Sequence, residues 1–245
     1  MARPFSTINY KKMFNLPLQG KKCLAEIKEA FFNDHLAIRK YIMTYASTHF
    51  EKDKFEPAPL LNRSLLDVGC GINEITADMV FRGADVTAID IDKNVLEEAA
   101  TIASKRGANI RFVQGEPSVL VKEDKKYDII LCVDVFEHVP HVSKFIQAIK
   151  QLMHEESVLI FYGKNRTFPS FIWHTLIAQW MMRWVPTNAY RFNEFRNQEN
   201  LEGKLADKGF TVTDVHGLQF PLCQNKWVRR EKKSIRYLGT ATLKK

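Results

Sequence analysis

The four cysteines of this 245-residue chain, Cys23, Cys70, Cys132 and Cys223, include no C-x-x-C pair. Their spacing excludes a disulfide framework or a zinc-binding pair and reads as buried thiols in a reducing compartment. A secretory signal is lacking as well. The aromatic stretch over residues 168–185 contains His174, Gln179 and Arg183, which makes it a poor membrane span. No internal repeat or low-complexity tract is found. Clustered basic residues interleaved with stacking aromatics, the mark of an RNA-binding surface, are also missing, so nucleic acid is not an expected partner. The net charge of +8 and pI near 9.2 therefore need another reading. The charge is spread along the chain and is densest from Lys226 to Arg236, which suits attraction to anionic lipid. With 45% apolar and 26% charged residues, the composition is that of a globular protein, one large domain or a domain with an insertion.

What is present centres on Ser64-Leu-Leu-Asp-Val-Gly-Cys-Gly71. An apolar run with the look of a buried strand carries Asp67 and ends in two glycines two apart, Gly69 and Gly71, before an amphipathic stretch that Asn73 opens. A strand turning through glycines into a helix lets backbone approach a ligand at the carboxyl edge of a parallel sheet. A nicotinamide site wants G-x-G-x-x-G, and its third position here is Glu74, too bulky for tight helix–strand packing. Asp-x-Gly-x-Gly instead suits a cofactor with an ammonium and no pyrophosphate, and S-adenosylmethionine is the natural candidate. Asp90 ends a second buried strand 21 residues past Gly69. That offset is close to the one at which an acid meets ribose hydroxyls. A plain helix cap is the other reading of Asp90, and Asp92 could serve as that cap instead.

The remaining chain alternates strands with helices. Expected strands are Ser64–Val68, Asp85–Asp90, Asn109–Val113, Tyr127–Val133 and Ser157–Tyr162. Expected helices are Asn73–Arg82, Lys93–Arg106, a short piece after Pro117, and His141–Leu152. Such alternation implies a parallel sheet covered on both faces. A helix over Gln198–Lys208 and two final strands, Thr211–Leu218 and Ile235–Leu243, complete a seven-stranded, mostly parallel α/β fold. Lys21 to Ser47 reads as a helical prologue with an apolar face, followed by a linker holding Pro57 and Pro59. Residues 1–25 carry Arg3, Lys11, Lys12, Lys21 and Lys22 with no acid before Glu26. That bias fits a mitochondrial presequence and equally a plain N-terminal tail.

Asp67-Val-Gly-Cys-Gly71, Asp90 and Asp134-Val-Phe-Glu-His-Val-Pro140 together resemble the class I S-adenosylmethionine-dependent methyltransferases, with their Rossmann-like fold. More narrowly, the chain resembles the ubiquinone-biosynthesis O-methyltransferases. The supporting segments are Asn33-Asp-His-Leu-Ala-Ile-Arg39, Lys164-Asn-Arg166 and the run through Met181-Met-Arg-Trp-Val-Pro186. The resemblance implies an N-terminal extension and linker over 1–62, and a methyltransferase domain over 63–245 with a membrane- or substrate-facing insertion at 165–191. It also implies O-methylation of a polyprenylated catechol, a polyprenyl dihydroxybenzoate or demethylubiquinol. Arg39 would meet the cofactor's carboxylate, Gly69 would line the cofactor, Asp90 would hold the ribose, and Val133 would flank the adenine. Asp134, Glu137 and His138 would bind a divalent metal, Mg²⁺ by preference. A place in a ubiquinone-biosynthesis complex is implied too. The location would be peripheral, on the matrix side of the mitochondrial inner membrane, or the cytoplasm or inner face of the membrane in a bacterium.

The chemistry agrees with this. A catechol hydroxyl is mostly protonated at neutral pH, and a bound metal could chelate both oxygens and lower that pKa. Asp134, Glu137 and His138 stand at i, i+3 and i+4, so one helical turn would place them on a common face. The same run can also merely line a pocket without metal, and His138 then becomes the general base, with Glu137 beside it. Glu116, after strand three, could bond the adenine amine or stand as a solvated loop acid. Trp173, Ile177, Trp180 and Trp184 follow helical spacing with Arg183 and Arg191 at one end. That make-up fits an interfacial helix or a lid packed on its own domain. Other expectations left open are a small phenol or lipid acceptor, and a catalytically silent cofactor-binding subunit.

Overall fold

The computed structural model describes residues 35–50, 58–72, 75–175, 192–219, 227–230 and 234–244. Expectations for residues 1–34, Asn73, Glu74, Trp180, Arg183, Trp184 and Arg191, and for Cys23 and Cys223, lie outside these residues. Five strands form the parallel part of one sheet: β1 (Ser64–Val68), β2 (Asp85–Asp90), β3 (Arg111–Gln114), β4 (Tyr127–Val133) and β5 (Met153–Lys164). Three more, β6 (Phe210–Gln219), β7 (Val228–Arg230) and β8 (Arg236–Leu243), add antiparallel, giving the order β3-β2-β1-β4-β5-β8-β6-β7. The expected α/β class holds, with one short edge strand, β7, more than the seven foreseen.

Strand residues alternate between two apolar layers, as a pleated strand buried on both faces must. Leu65, Ile129, Leu131, Val158 and Ile160 face one layer. Leu66, Ile130, Cys132, Leu159 and Phe161 face the other. The first layer is covered by α1 (His35–His49), through Ile38, Ile42 and Ala46, and by α2 (Ile75–Phe81), through Ile75 and Met79. Beside them lies α3 (Lys93–Lys105), whose Ala103 packs against Ala77. The second layer is covered by α4 (Ser118–Val121), α5 (Val142–Gln151) and α6 (Gln198–Asp207), through Leu120, Phe145, Ile146, Ile149, Leu201 and Leu205.

α1 is tied down further by Tyr41, whose hydroxyl donates to Asp214 Oδ2 on β6 at 2.9 Å. Strand order reverses between β1 and β4. A parallel sheet opens a crevice beyond the carboxyl ends of its strands at such a point. The register puts Val68 opposite both Ile89 and Cys132, so β1, β2 and β4 end level around that crevice.

Candidate active site

The first wall of the crevice is the turn after β1. Gly69 and Gly71 adopt φ of 66° and 56°, left-handed values that a side chain would strain. The Gly69 amide donates to the Ile89 carbonyl at 2.7 Å, pinning the turn to the end of β2. Asp67 is buried beneath it. Its Oδ2 accepts from the Thr76 hydroxyl of α2, whereas Oδ1 has no hydrogen-bond partner among the described residues. Burial pushes its carboxyl up to about 7, with the Thr76 bond opposing and the nearby Asp90 adding to the rise. A buried carboxylate oxygen without a partner costs roughly 1–3 kcal/mol, so it is poised for a donor that arrives from outside.

Asp90 is fully buried. Its Oδ2 accepts from the Gly71 amide at 3.2 Å and its Oδ1 from the Asp92 amide at 3.0 Å. Burial raises its pKa against these backbone bonds. The helix-cap alternative is settled by Asp92, whose side chain accepts from the Asn94 amide at the start of α3. The residues present therefore fit an aminoacyl-nucleoside cofactor: two carboxylates, one with an open oxygen, beside a glycine turn. Val133, at the end of β4, is buried. Glu116 is exposed after β3. Arg39 lies on α1 and pairs with Asp78 Oδ2 at 2.7 Å, an acid that Arg106 also holds at 2.8 Å. Cys70 and Cys132 are buried free thiols, as expected.

The second wall departs from expectation. Residues 134–138 form a tight turn and not a helix, with Asp134 at φ 54° and the His138 amide donating to the Val135 carbonyl at 2.9 Å. Arg196 clamps this turn, its Nε donating to the Phe136 carbonyl at 3.0 Å and its Nη2 to the Val139 carbonyl at 2.7 Å. Between the acids lies Lys164, from the end of β5. Its Nζ donates to Glu137 Oε1 at 2.6 Å and to Asp134 Oδ1 at 2.9 Å, and its backbone amide donates to Glu137 Oε2 at 3.2 Å. Burial raises the Glu137 carboxyl, and the Lys164 ammonium opposes that rise. His138 is half-buried in the same turn. Burial first, and Lys164 second, lower its pKa.

As arranged, these residues do not fit the divalent ion expected at Asp134, Glu137 and His138, because an ammonium already lies between the two carboxylates. Among the described residues no three His, Cys, Asp or Glu side chains converge as a ligand set. The sequence reading missed this role of Lys164. The only signal for it was a basic residue two positions past the expected apolar strand Ser157–Tyr162.

Behind this wall β5 and β8 run edge to edge. At Gly163 a side chain would meet the Tyr237 hydroxyl at 2.8 Å and Glu137 Oε2 at 3.4 Å, so the two strands close only over a glycine. Arg236 is buried, donating from Nη1 to the Tyr162 hydroxyl at 2.6 Å and from Nε to His174 Nε2 at 3.3 Å. Because His174 Nε2 accepts there, its Nδ1 carries the proton and donates to the Ser170 carbonyl at 3.1 Å. Burial lowers the His174 pKa to about 3. His174 belongs to a π-helical turn over residues 171–175 that follows the capped turn Phe168–Ser170. This π-helical turn is thus anchored to the sheet, with Phe171 edge-on to Phe192 at 5.3 Å.

Comparison with known proteins gives this geometry its family. A family model described as a methyltransferase domain matches residues 36–215. The ubiquinone biosynthesis O-methyltransferase of Rickettsia prowazekii is 32% identical over 177 residues, covering 72% of this chain and 70% of that one. The protein of the same name from Azorhizobium caulinodans is 26% identical, covering 73% and 71%. Among solved structures, the magnesium protoporphyrin IX methyltransferase of Synechocystis with bound SAH shares the fold at a TM-score of 0.63 and 17% identity, over 96% of this chain and 92% of that one. A plantazolicin methyltransferase in complex with SAH does so at 0.62 and 17%, over 97% and 95%. With a class I fold, a glycine turn flanked by Asp67 and Asp90, and relatives of this kind, the chain belongs to the ubiquinone biosynthesis O-methyltransferases, S-adenosylmethionine-dependent enzymes.

Proposed function

We propose that the enzyme methylates a ring hydroxyl of a polyprenylated catechol, a polyprenyl dihydroxybenzoate or demethylubiquinol. The observation that carries this is a crevice with buried carboxyl groups for the cofactor on one wall, Asp67 and Asp90, and the imidazole of His138 on the turn after β4. Bound S-adenosylmethionine supplies a methyl group from its sulfonium. Asp67 Oδ1 would accept from the cofactor's ammonium and Asp90 from the ribose hydroxyls, while Gly69 and Gly71 keep side chains out of the way. Val133 would flank the adenine and Glu116 would bond its amine. Arg39 would turn from Asp78 to the cofactor's carboxylate, leaving Asp78 to Arg106. His138 would accept the acceptor's hydroxyl proton, because a methyl transfer of this kind asks the protein for little beyond alignment and deprotonation.

An acceptor with a long isoprenoid tail favours a peripheral membrane position, and we assign that contact to the insertion over residues 165–191. The bacterial relatives favour the inner face of a bacterial cell membrane over a mitochondrial one.

Purified protein incubated with labelled cofactor and short-chain prenyl catechols should transfer label to a ring oxygen. His138→Gln should lose most of that transfer, roughly 10²- to 10⁴-fold for a lost general base, while binding S-adenosylhomocysteine as before. Tight cofactor binding with no transfer to any catechol would favour the silent-subunit reading instead.

A further inference from the structure

Two carboxylates on one short turn repel each other, and burial magnifies the repulsion. A proton or a cation must relieve that repulsion, and the geometry here supplies a cation. We propose that the Lys164 ammonium is that resident cation, taking the place a divalent ion would occupy, so that the enzyme works on its acceptor without metal at this position. The proposal deepens the reading above and rests on it only for the nature of the acceptor.

Three observations carry it. The Nζ bridges both acids at 2.6 and 2.9 Å, with the Lys164 side chain only 6% exposed and that of Glu137 only 4%. The same residue's backbone amide takes the other Glu137 oxygen, so a single residue engages both oxygens of that carboxylate. Lys164 is also fixed by the sheet, paired with Arg236 across β5 and β8, next to the glycine over which those strands close. A Mg²⁺ ion needs oxygen ligands at about 2.0–2.1 Å in octahedral array. It could bridge these two carboxylates only by displacing the buried ammonium that bridges them now.

The seat itself is nevertheless shaped for a cation. Removing the amine should leave Asp134, Glu137 and His138 facing a vacated charge site, and the protein should then recruit a metal it does not otherwise take. Lys164 acts here as a positioning residue, through the acids of the turn.

The test is a Mn²⁺ titration of the full chain after chelator treatment, with free Mn²⁺ read by electron paramagnetic resonance. Wild type should leave the ion free, Lys164→Met should sequester one ion per chain, and adding Glu137→Gln to Lys164→Met should abolish the uptake. In parallel, wild-type methyl transfer should show no loss in a strong chelator. The proposal is overturned if wild type takes up one Mn²⁺ that Glu137→Gln abolishes, or if a chelator abolishes transfer and Mg²⁺ restores it. It is equally overturned if Lys164→Met melts cooperatively yet leaves Mn²⁺ free. Should Lys164→Met fail to fold, the wild-type titration and chelator assay decide on their own. Because Mn²⁺ uptake is read without acceptor, a wild type that leaves the ion free yet methylates no catechol refutes the acceptor assignment and supports this one.

Discussion

The role proposed for Asp67 would couple folding to cofactor binding through one proton. Its carboxyl is pushed from an ordinary 3.8 up to about 7 by burial. Between those values the folded chain holds a proton that the unfolded chain has lost, so stability falls as pH rises through that window and levels off above about 7. The cofactor's ammonium prefers the ionised form, so affinity should rise over the same window. Asp67→Asn should therefore melt higher than wild type at neutral pH and bind S-adenosylhomocysteine more weakly, by roughly 1.5–3 kcal/mol for one charge-assisted bond. Thermal melts and calorimetry over the window check both halves; a wild-type melting temperature that climbs with pH there contradicts the assignment. Asp90→Ala should weaken the same ligand by a similar amount, since the ribose hydroxyls would lose the acceptor proposed for them. Asp67, Gly69, Gly71 and Asp90 were legible in the sequence because a strand, a turn and the next strand's end are local features of one βαβ unit. Lys164 was not, because its partners lie 27 and 30 residues away and meet it only once β4 and β5 pair.

Among elements, the turn after β4 shows how a helical spacing can deceive. Asp134, Glu137 and His138 have the separation of one helical face, yet Asp134 takes a left-handed φ and Pro140 follows closely. The chain reverses instead of coiling, and Arg196 holds the reversal by two carbonyls. Arg196→Ala should reduce methyl transfer far more than S-adenosylhomocysteine affinity, because it frees the turn that carries His138 and leaves the glycine turn alone. Steady-state kinetics beside calorimetry would separate the two. At the β5–β8 seam, Gly163→Ala should destabilise by about 1–3 kcal/mol through overpacking. Tyr237→Phe should be nearly silent alone, since the Tyr237 hydroxyl has no hydrogen-bond partner among the described residues. Combined, the two should recover part of the loss in chemical denaturation; strictly additive losses would show that the hydroxyl is not the obstacle. The short β7 escaped sequence reading for a related reason: three residues in a basic run show no alternation, and only β6 makes a strand of them.

Across the whole molecule, α1 is part of the sheet's cover. Its apolar spacing was readable, but not the layer it would join, which is fixed by residues as distant as Leu218 and Leu238. Ile42→Ala should cost roughly 2–5 kcal/mol in global stability, measurable by urea unfolding; a much smaller loss would mean that the helix rides loosely on the domain. No helix among the described residues is long and apolar enough to cross a membrane. Phe168, at the start of the proposed insertion, is 73% exposed. Liposomes rich in anionic lipid should sediment the protein at low salt and release it at high salt, and Trp180→Ser with Trp184→Ser should prevent capture without altering cofactor affinity. Protein that stays in the supernatant at low salt would make the segment an internal lid.

The place of β8 bears on how the chain is assembled. It is the last strand along the described chain, yet it lies inside the sheet, hydrogen-bonded to β5 on one side and β6 on the other. As the polypeptide is synthesised, the five parallel strands and the cofactor turn are available first, and β6 follows with only the short β7 to pair with and no link to the parallel strands. The gap beside β5 closes only when residues 236–243 emerge. Until then the edge that carries Gly163 and Lys164 lacks its lateral support, and unpaired strand edges of that kind invite wrong pairing. Completion of the acidic turn is thereby tied to the emergence of β8, so a chain stalled before that strand would present a glycine turn for the cofactor but no finished wall on which to place an acceptor.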